Sequence, residues 1–167
     1  MSVVIVPGVA GLDASTERMI ASSTSSTAIT ATGGVTAFEH TIPARAVGSD
    51  GYIVLDIYMT RSGPNGAIVP LLLLGGQPFH SDAMAITDLS FQTRFYIYAD
   101  DSETAQKLAT DMGVVDTPYA KGNYTKVNLT VDMTLDTTLS LYVNIGSSGD
   151  GLIVEGYSIR LFNPDGV

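Results

Sequence analysis

The sequence predicts an all-β protein: an antiparallel β-sandwich of jelly-roll type over residues 35–167, preceded by an extended N-terminal arm over residues 1–34. Two patterns and one near-absence carry this expectation. Runs such as YIVLDIYMTR and FQTRFYIYAD alternate apolar and polar residues, the period of a strand whose successive side chains point to opposite faces. The joints between runs, SGPNG and GSSGDG among them, are made of Gly, Pro, Asn, Asp and Ser, which suit tight turns. Helical character is confined to DSETAQKLATDMG and, more weakly, to LDASTERMIASS. Strands in series with turn-rich joints describe a sandwich or barrel, and about seven or eight long strands favour the jelly roll.

The arm divides into an apolar, Gly-broken start, VVIVPGVAGLD, and a Ser/Thr/Ala run, ASSTSSTAITATGG. Such a composition cannot bury a core by itself. Two readings are open: a disordered leader, or an arm whose Val3, Val4, Ile5 and Val6 pack onto a neighbouring molecule. LDASTERMIASS has the makings of one or two helical turns capped by Asp13 or Ser15. The start has no basic n-region and is interrupted by Pro7 and Gly8, so it does not read as a targeting segment.

From Thr36 the pattern is β. TAFEHTIP ends at Pro43, and His40 is expected to face outward. In YIVLDIYMTR, Ile53, Leu55, Ile57 and Met59 share the inner face, leaving Tyr52, Asp56, Tyr58 and Thr60 outside. AIVPLLLLGG lacks alternation and is expected to be buried on both faces; it is too short to span a bilayer. FQTRFYIYAD places Phe91, Thr93, Phe95 and Ile97 inward, with Gln92, Arg94, Tyr96 and Tyr98 outward. DSETAQKLATDMG predicts a helix capped by Ser102 and stopped by Gly113. YTKVNLTVDM, TTLSLYVNI and LIVEGYSIRLF predict three closing strands.

Composition narrows the function classes. With a formal net charge of −9 and only eight Lys and Arg, the chain lacks the cationic surface that nucleic acid or anionic membranes require. It has no cysteine, which removes disulfides, thiolate metal sites and thiol nucleophiles. A chain 45% hydrophobic and only 15% charged either covers itself with Ser and Thr or buries part of its surface against other molecules.

Reactive constellations are scarce. The two histidines, His40 and His80, lie in no Ser-His-Asp pattern, and GSSGDG does not have the spacing of a nucleophile elbow. Asp100, Asp101 and Glu103 cluster, as do Asp82 and Asp88, but they match no calcium-loop spacing and read as solvated loop acids. Paired carboxylates for glycoside hydrolysis can lie anywhere in sequence; the absence of Trp counts against a sugar-processing groove. Asn-x-Thr occurs at Asn123 and Asn128, which matters only on a eukaryotic secretory route. No catalytic residue, metal ligand or cofactor is assigned. Tyr52, Tyr58, Tyr96 and Tyr98, with Tyr142 as a further candidate, form the signal that remains. They read either as sheet packing or as an exposed amphipathic surface for a partner or a glycan.

Two stretches carry a resemblance. FEHTIPARAVGSDGYIVLDIYMTRSG has an amphipathic strand ending in Ile42-Pro43-Ala44, a short Gly loop and a strand running into an Asn/Gly turn. It is followed by IVPLLLLGGQPF, a strand ending in Gly-Gly. LDTTLSLYVNIGSSGDGLIVEGYSIRLF closes with a DTTL strand, a Gly-rich turn and an EGYSIRL strand. In this order they resemble bacteriophage virion proteins over residues 38–98 and 125–162. One departure is YIVLDIYM, where those proteins usually carry basic or polar residues, so no functional residue is carried over. The resemblance implies a jelly roll in the virion; the scarcity of reactive constellations is what argues against an enzyme. With the small single domain, apolar arm and low charge, the resemblance points first to a decoration (cement) protein that binds the major capsid protein on the outer surface of the head and is made in the host cytoplasm. Closed cyclic assembly would bury the excess apolar surface, so a homotrimer is expected. The alternative is a tail or fibre component whose tyrosine face binds a receptor glycan.

Overall fold

The structure is a computed structural model that describes residues 17–63, 66–81, 84, 90–111 and 128–164, with the backbone alone for 109–111. Val3, Val4, Ile5 and Val6 lie outside the described residues, as do Asp82, Asp88 and Gly113. The described elements are all strands, in two antiparallel sheets. The larger runs in spatial order β1 (Arg18–Ser23), β11 (Gly151–Phe162), β4 (Tyr52–Ser62), β7 (Ser90–Ala99), β8 (Gln106–Asp111) and β9 (Asn128–Leu129), with β2 (Thr27–Ile29) also paired to β11. The smaller runs β3 (Gly33–Ile42), β10 (Thr137–Ile145), β5 (Ile68–Leu74) and β6 (Gln77–Ser81). β10 returns to lie between β3 and β5, and β11 between β1 and β4, the long-return connections of Greek-key sheets.

The core follows from the alternation. Ile53, Leu55, Ile57 and Met59 on β4 are buried, as are Leu139, Leu141, Val143 and Ile145 on β10 and Phe91, Phe95 and Ile97 on β7. β5 corrects the expectation of burial on both faces. Ile68, Pro70, Leu72 and Leu74 are buried, whereas Val69, Leu71 and Leu73 are half-buried, because nothing described covers the outer side of this sheet as β4 and its neighbours cover the inner. Pro70 lies one residue beyond the part of β5 that pairs with β6, so its missing N–H costs little there.

Both helical expectations give way to strand. Residues 18–23 of LDASTERMIASS pair with β11, and residues 106–111 of DSETAQKLATDMG pair with β7, from Ala99↔Gln106 to Arg94↔Asp111. In each case a sheet edge offers a ladder that outweighs helix propensity. Ser102 does cap, but it caps a turn: its Oγ accepts the Thr104 N–H at 3.1 Å, and Asp101 takes positive φ (52°). His40, expected outside, shares the inner face with Phe38 and Ile42. At the sandwich edge its Nε2 lies 2.7 Å from the Tyr157 hydroxyl, and Tyr157 stacks on Phe38. YTKVNLTVDM gives a described strand only at Asn128–Leu129; beyond it Val131 and Met133 are buried.

The joints are built as firmly as the strands. In the loop after β3, Ala46 and Val47 are buried, Arg45 N–H donates to Met133 O at 2.7 Å, and Ala44 N–H donates to Asp136 Oδ1 at 2.8 Å. Gly51 is required: a Cβ there would strike the carbonyl oxygens of Val47 and Phe162. At the opposite end of β4, Arg61 points inward. It donates to the carbonyls of Gly63 (2.9 Å), Met84 (3.0 Å) and Gly66, and pairs with Asp150 at 3.3 Å. One buried guanidinium therefore ties the turn after β4 to the turn between β10 and β11.

Candidate interaction face

The outer face of the larger sheet carries the tyrosines that the alternation selects. Register sets Tyr52 opposite Tyr98 and Val54 opposite Tyr96 on β7, with Phe162 and Arg160 on the other side of β4. Tyr52 stacks on Phe162 (centroids 4.8 Å, 19°) and leans on Tyr98 (5.5 Å), while Tyr96 and Tyr98 lie nearly parallel at 5.8 Å and 13°. Val54 faces outward by parity and is nevertheless fully buried, flanked by Tyr96 and Arg160. The cluster thus has a packing role beneath and an exposed one above: Tyr52 and Tyr96 are half-buried, Tyr98 remains 39% exposed.

Next to the cluster lies an ionic knot. Asp56 accepts from Arg94 Nε at 2.5 Å, from Arg160 at 2.8 Å and from the Ser158 hydroxyl at 3.2 Å. Partial burial alone would push the Asp56 carboxyl up, but the hydrogen bonds and charges of Arg94 and Arg160 outweigh it and hold the group below the ordinary carboxylate range. Asp56 in turn raises the Arg94 guanidinium, with help from Tyr96. Arg160 also pairs with Glu17, which accepts from the Tyr52 hydroxyl at 3.1 Å. Burial first, then the Glu17 contact, pushes the Tyr52 phenol up; burial, then Tyr96, does the same to Tyr98.

No known protein-family profile matches the chain, and no curated protein does. Among solved structures it is similar to the infectious bursal disease virus VP2 subviral particle, with 13% identity and a TM-score of 0.34, over 99% of this chain and 46% of that one. It is also similar to the structure of the infectious bursal disease virus Gx strain, with 12% identity and a TM-score of 0.26, over 99% and 47%. The chain spans just under half the length of these solved chains.

The expected site residues are therefore brought together in part. Tyr52, Tyr96 and Tyr98 form one cluster; Tyr58 (41% exposed) lies on the same face about 20 Å along β4 from Tyr52, opposite Gln92. Tyr142 is on the outer face of the smaller sheet, its ring over Gly34, where a Cβ would collide with it. Sequence reading missed Glu17, Met19, Arg160 and Phe162. The last two were readable, since they share the parity of Ser158 on β11; Glu17 was not, because its contacts span most of the chain. Among the described residues no group of three or more His, Asp and Glu is placed to hold a metal ion. His80 packs against Phe91 and Phe95, and Asp100 pairs with Lys107.

Proposed function

We propose that this is a structural protein of a bacteriophage virion, a decoration (cement) protein that binds the outside of the head and stabilises it. The observation that carries this reading is how the chain uses its charge. The half-buried and buried ionisable groups Asp56, Arg94, Arg160, Arg61 and Asp150 are tied to one another as struts between strands. Among the described residues, the large hydrophobic side chains left exposed are Met19, Tyr58, Tyr98, Leu135 and Tyr142. Struts within and amphipathic rings outside suit a rigid module that works through summed surface contacts. The strand order of the bacteriophage-like stretches, the net charge of −9 and the low charged fraction support the same reading. Its partners are then the major capsid protein and other copies of itself in a homotrimer, not nucleic acid or a membrane. Such a protein is made in the host cytoplasm and needs neither cofactor nor catalytic residue.

A second reading, a tail or fibre component, is favoured by the nearly parallel Tyr96 and Tyr98 rings, a surface on which a sugar could stack.

Co-sedimentation with phage heads that lack the protein tests the first reading. The full chain is expected to saturate at a copy number set by the shell lattice, and a chain starting at Glu17 to bind more weakly. The cut belongs there because a later one would strip β1 and β2 from the sheet. No binding to heads moves the protein to the tail, and light scattering at 17.5 kDa in concentrated solution removes the trimer.

A further inference from the structure

Each sheet has two edges, and an edge strand offers unpaired N–H and C=O groups to any further strand. Among the described residues, three of the four edges are blunted. β9 is two residues long; β6 is five, with Pro78 and a register shift inside it; β1 is six, with Arg18 at its start and a register shift at Ile20. β3 is different. It runs for ten residues, GGVTAFEHTI, without Lys, Arg or Pro, and among the described strands only β10 pairs with it in its sheet. Its one bulge, at Ala37, leaves residues 38–42 in unbroken register with residues 137–141.

Beside this edge the fold leaves room for one strand. Phe38 stacks on Tyr157 at 4.4 Å and His40 Nε2 lies 2.7 Å from the Tyr157 hydroxyl, so β3 sits beneath β11. The larger sheet continues past β11 with β1, whereas the smaller stops at β3. Ala21 pairs with the inward-facing Ile159, yet it and its neighbour Ile20 stay only half-buried, as does Ala37 on β3. We propose that this edge accepts one extended segment of a different protein, which adds to β3 as a fifth strand of the smaller sheet, beneath β1. Main-chain hydrogen bonds along residues 38–42 hold it, and Ile20, Ala21 and Ala37 select small or β-branched apolar side chains at its inward positions. A second copy is a poor occupant. Its described strands are all committed to its own sheets, and its β3 cannot come alongside without driving its projecting β1 against this one. The site goes beyond the virion reading, which does not say how another protein is held, and its test needs no phage head.

The probe is the capped peptide TTLSLYVNI, a copy of β10, the strand that β3 already accepts on its other edge; it carries no charged side chain. In amide hydrogen exchange of the full chain, the β3 amides that point away from β10 should exchange freely at every protein concentration. With millimolar peptide they should slow at least about ten-fold, and a fully N-methylated peptide of the same side chains should leave them unchanged. No protection by the peptide overturns the proposal. So does equal protection by its methylated form, which means side-chain contact without a ladder. Protection before any peptide is added also overturns it: the edge then belongs to the chain's own remaining residues or, where protection grows with protein concentration, to a second copy.

Discussion

Asp56 shows how one outward-facing carboxylate can organise a sheet. It sits on the central strand of the larger sheet and receives an arginine from each neighbouring strand, Arg94 on β7 and Arg160 on β11. Because its pKa is lower in the folded chain than in the unfolded one, its contribution is present above the ordinary Asp range near about 4 and is lost as pH falls through the native value. Asp56→Asn should therefore cost about 1 kcal/mol at pH 7, allowing for solvent screening of a partly exposed group. The difference from wild type should shrink as pH falls below the ordinary Asp range and through the native value, as urea titrations over a descending pH series would reveal. Tyr52 and Tyr98 act with the opposite sign: their raised pKa values favour the fold below the tyrosine range, a contribution lost as pH rises past about 10. The placing of these side chains was legible because period 2 fixes the face. What period 2 cannot supply is the partner across the sheet, so the Asp56 knot and the Glu17 tether stayed hidden.

Two glutamines do for the segment before β10 what strands do elsewhere. Gln106 donates its amide N–H to Val131 O at 2.9 Å and accepts the Val131 N–H at 3.0 Å; Gln77 makes the same reciprocal pair with Thr130 at 3.2 and 3.1 Å. Gln106 belongs to the larger sheet and Gln77 to the smaller, so the pair clips the two sheets to one short run of chain. The clips are unequal. Gln106 is buried, so Gln106→Leu leaves two backbone groups unsatisfied in the interior and should cost about 2–4 kcal/mol, while Gln77→Leu lets water replace the amide and should cost less than about 1 kcal/mol. Urea midpoints of the two variants give the ranking. Element type was legible where alternation was long, as in β4, β7, β10 and β11. It failed at β1 and β8, six residues each, where helix-forming composition lost to a ladder: with the distant β11 for β1, and with the strand just before it, β7, for β8.

For the molecule as a whole, connectivity governs folding. Thr137–Ile145 must find Gly33–Ile42, and β11 must find β4, before either sheet has a centre. Closing such long loops costs entropy before the contacts repay it, so refolding should take milliseconds to seconds by tyrosine fluorescence in stopped flow; microsecond folding would mean that local structure dominates instead. A sandwich could be foreseen from strand count and turns, but the sheet membership of each strand could not, since no local pattern distinguishes the partners of β10 from those of β11.

The pairing of β1 and β2 with β11 joins the opening of the described chain to its close. During synthesis, then, β2 gains its β11 partners only once residues 152–154 have emerged, and β1 only once residues 157–161 have. Throughout that interval the Ser/Thr-rich composition of ASSTSSTAITATGG suits an unpaired segment: its hydroxyls keep the waiting chain hydrated.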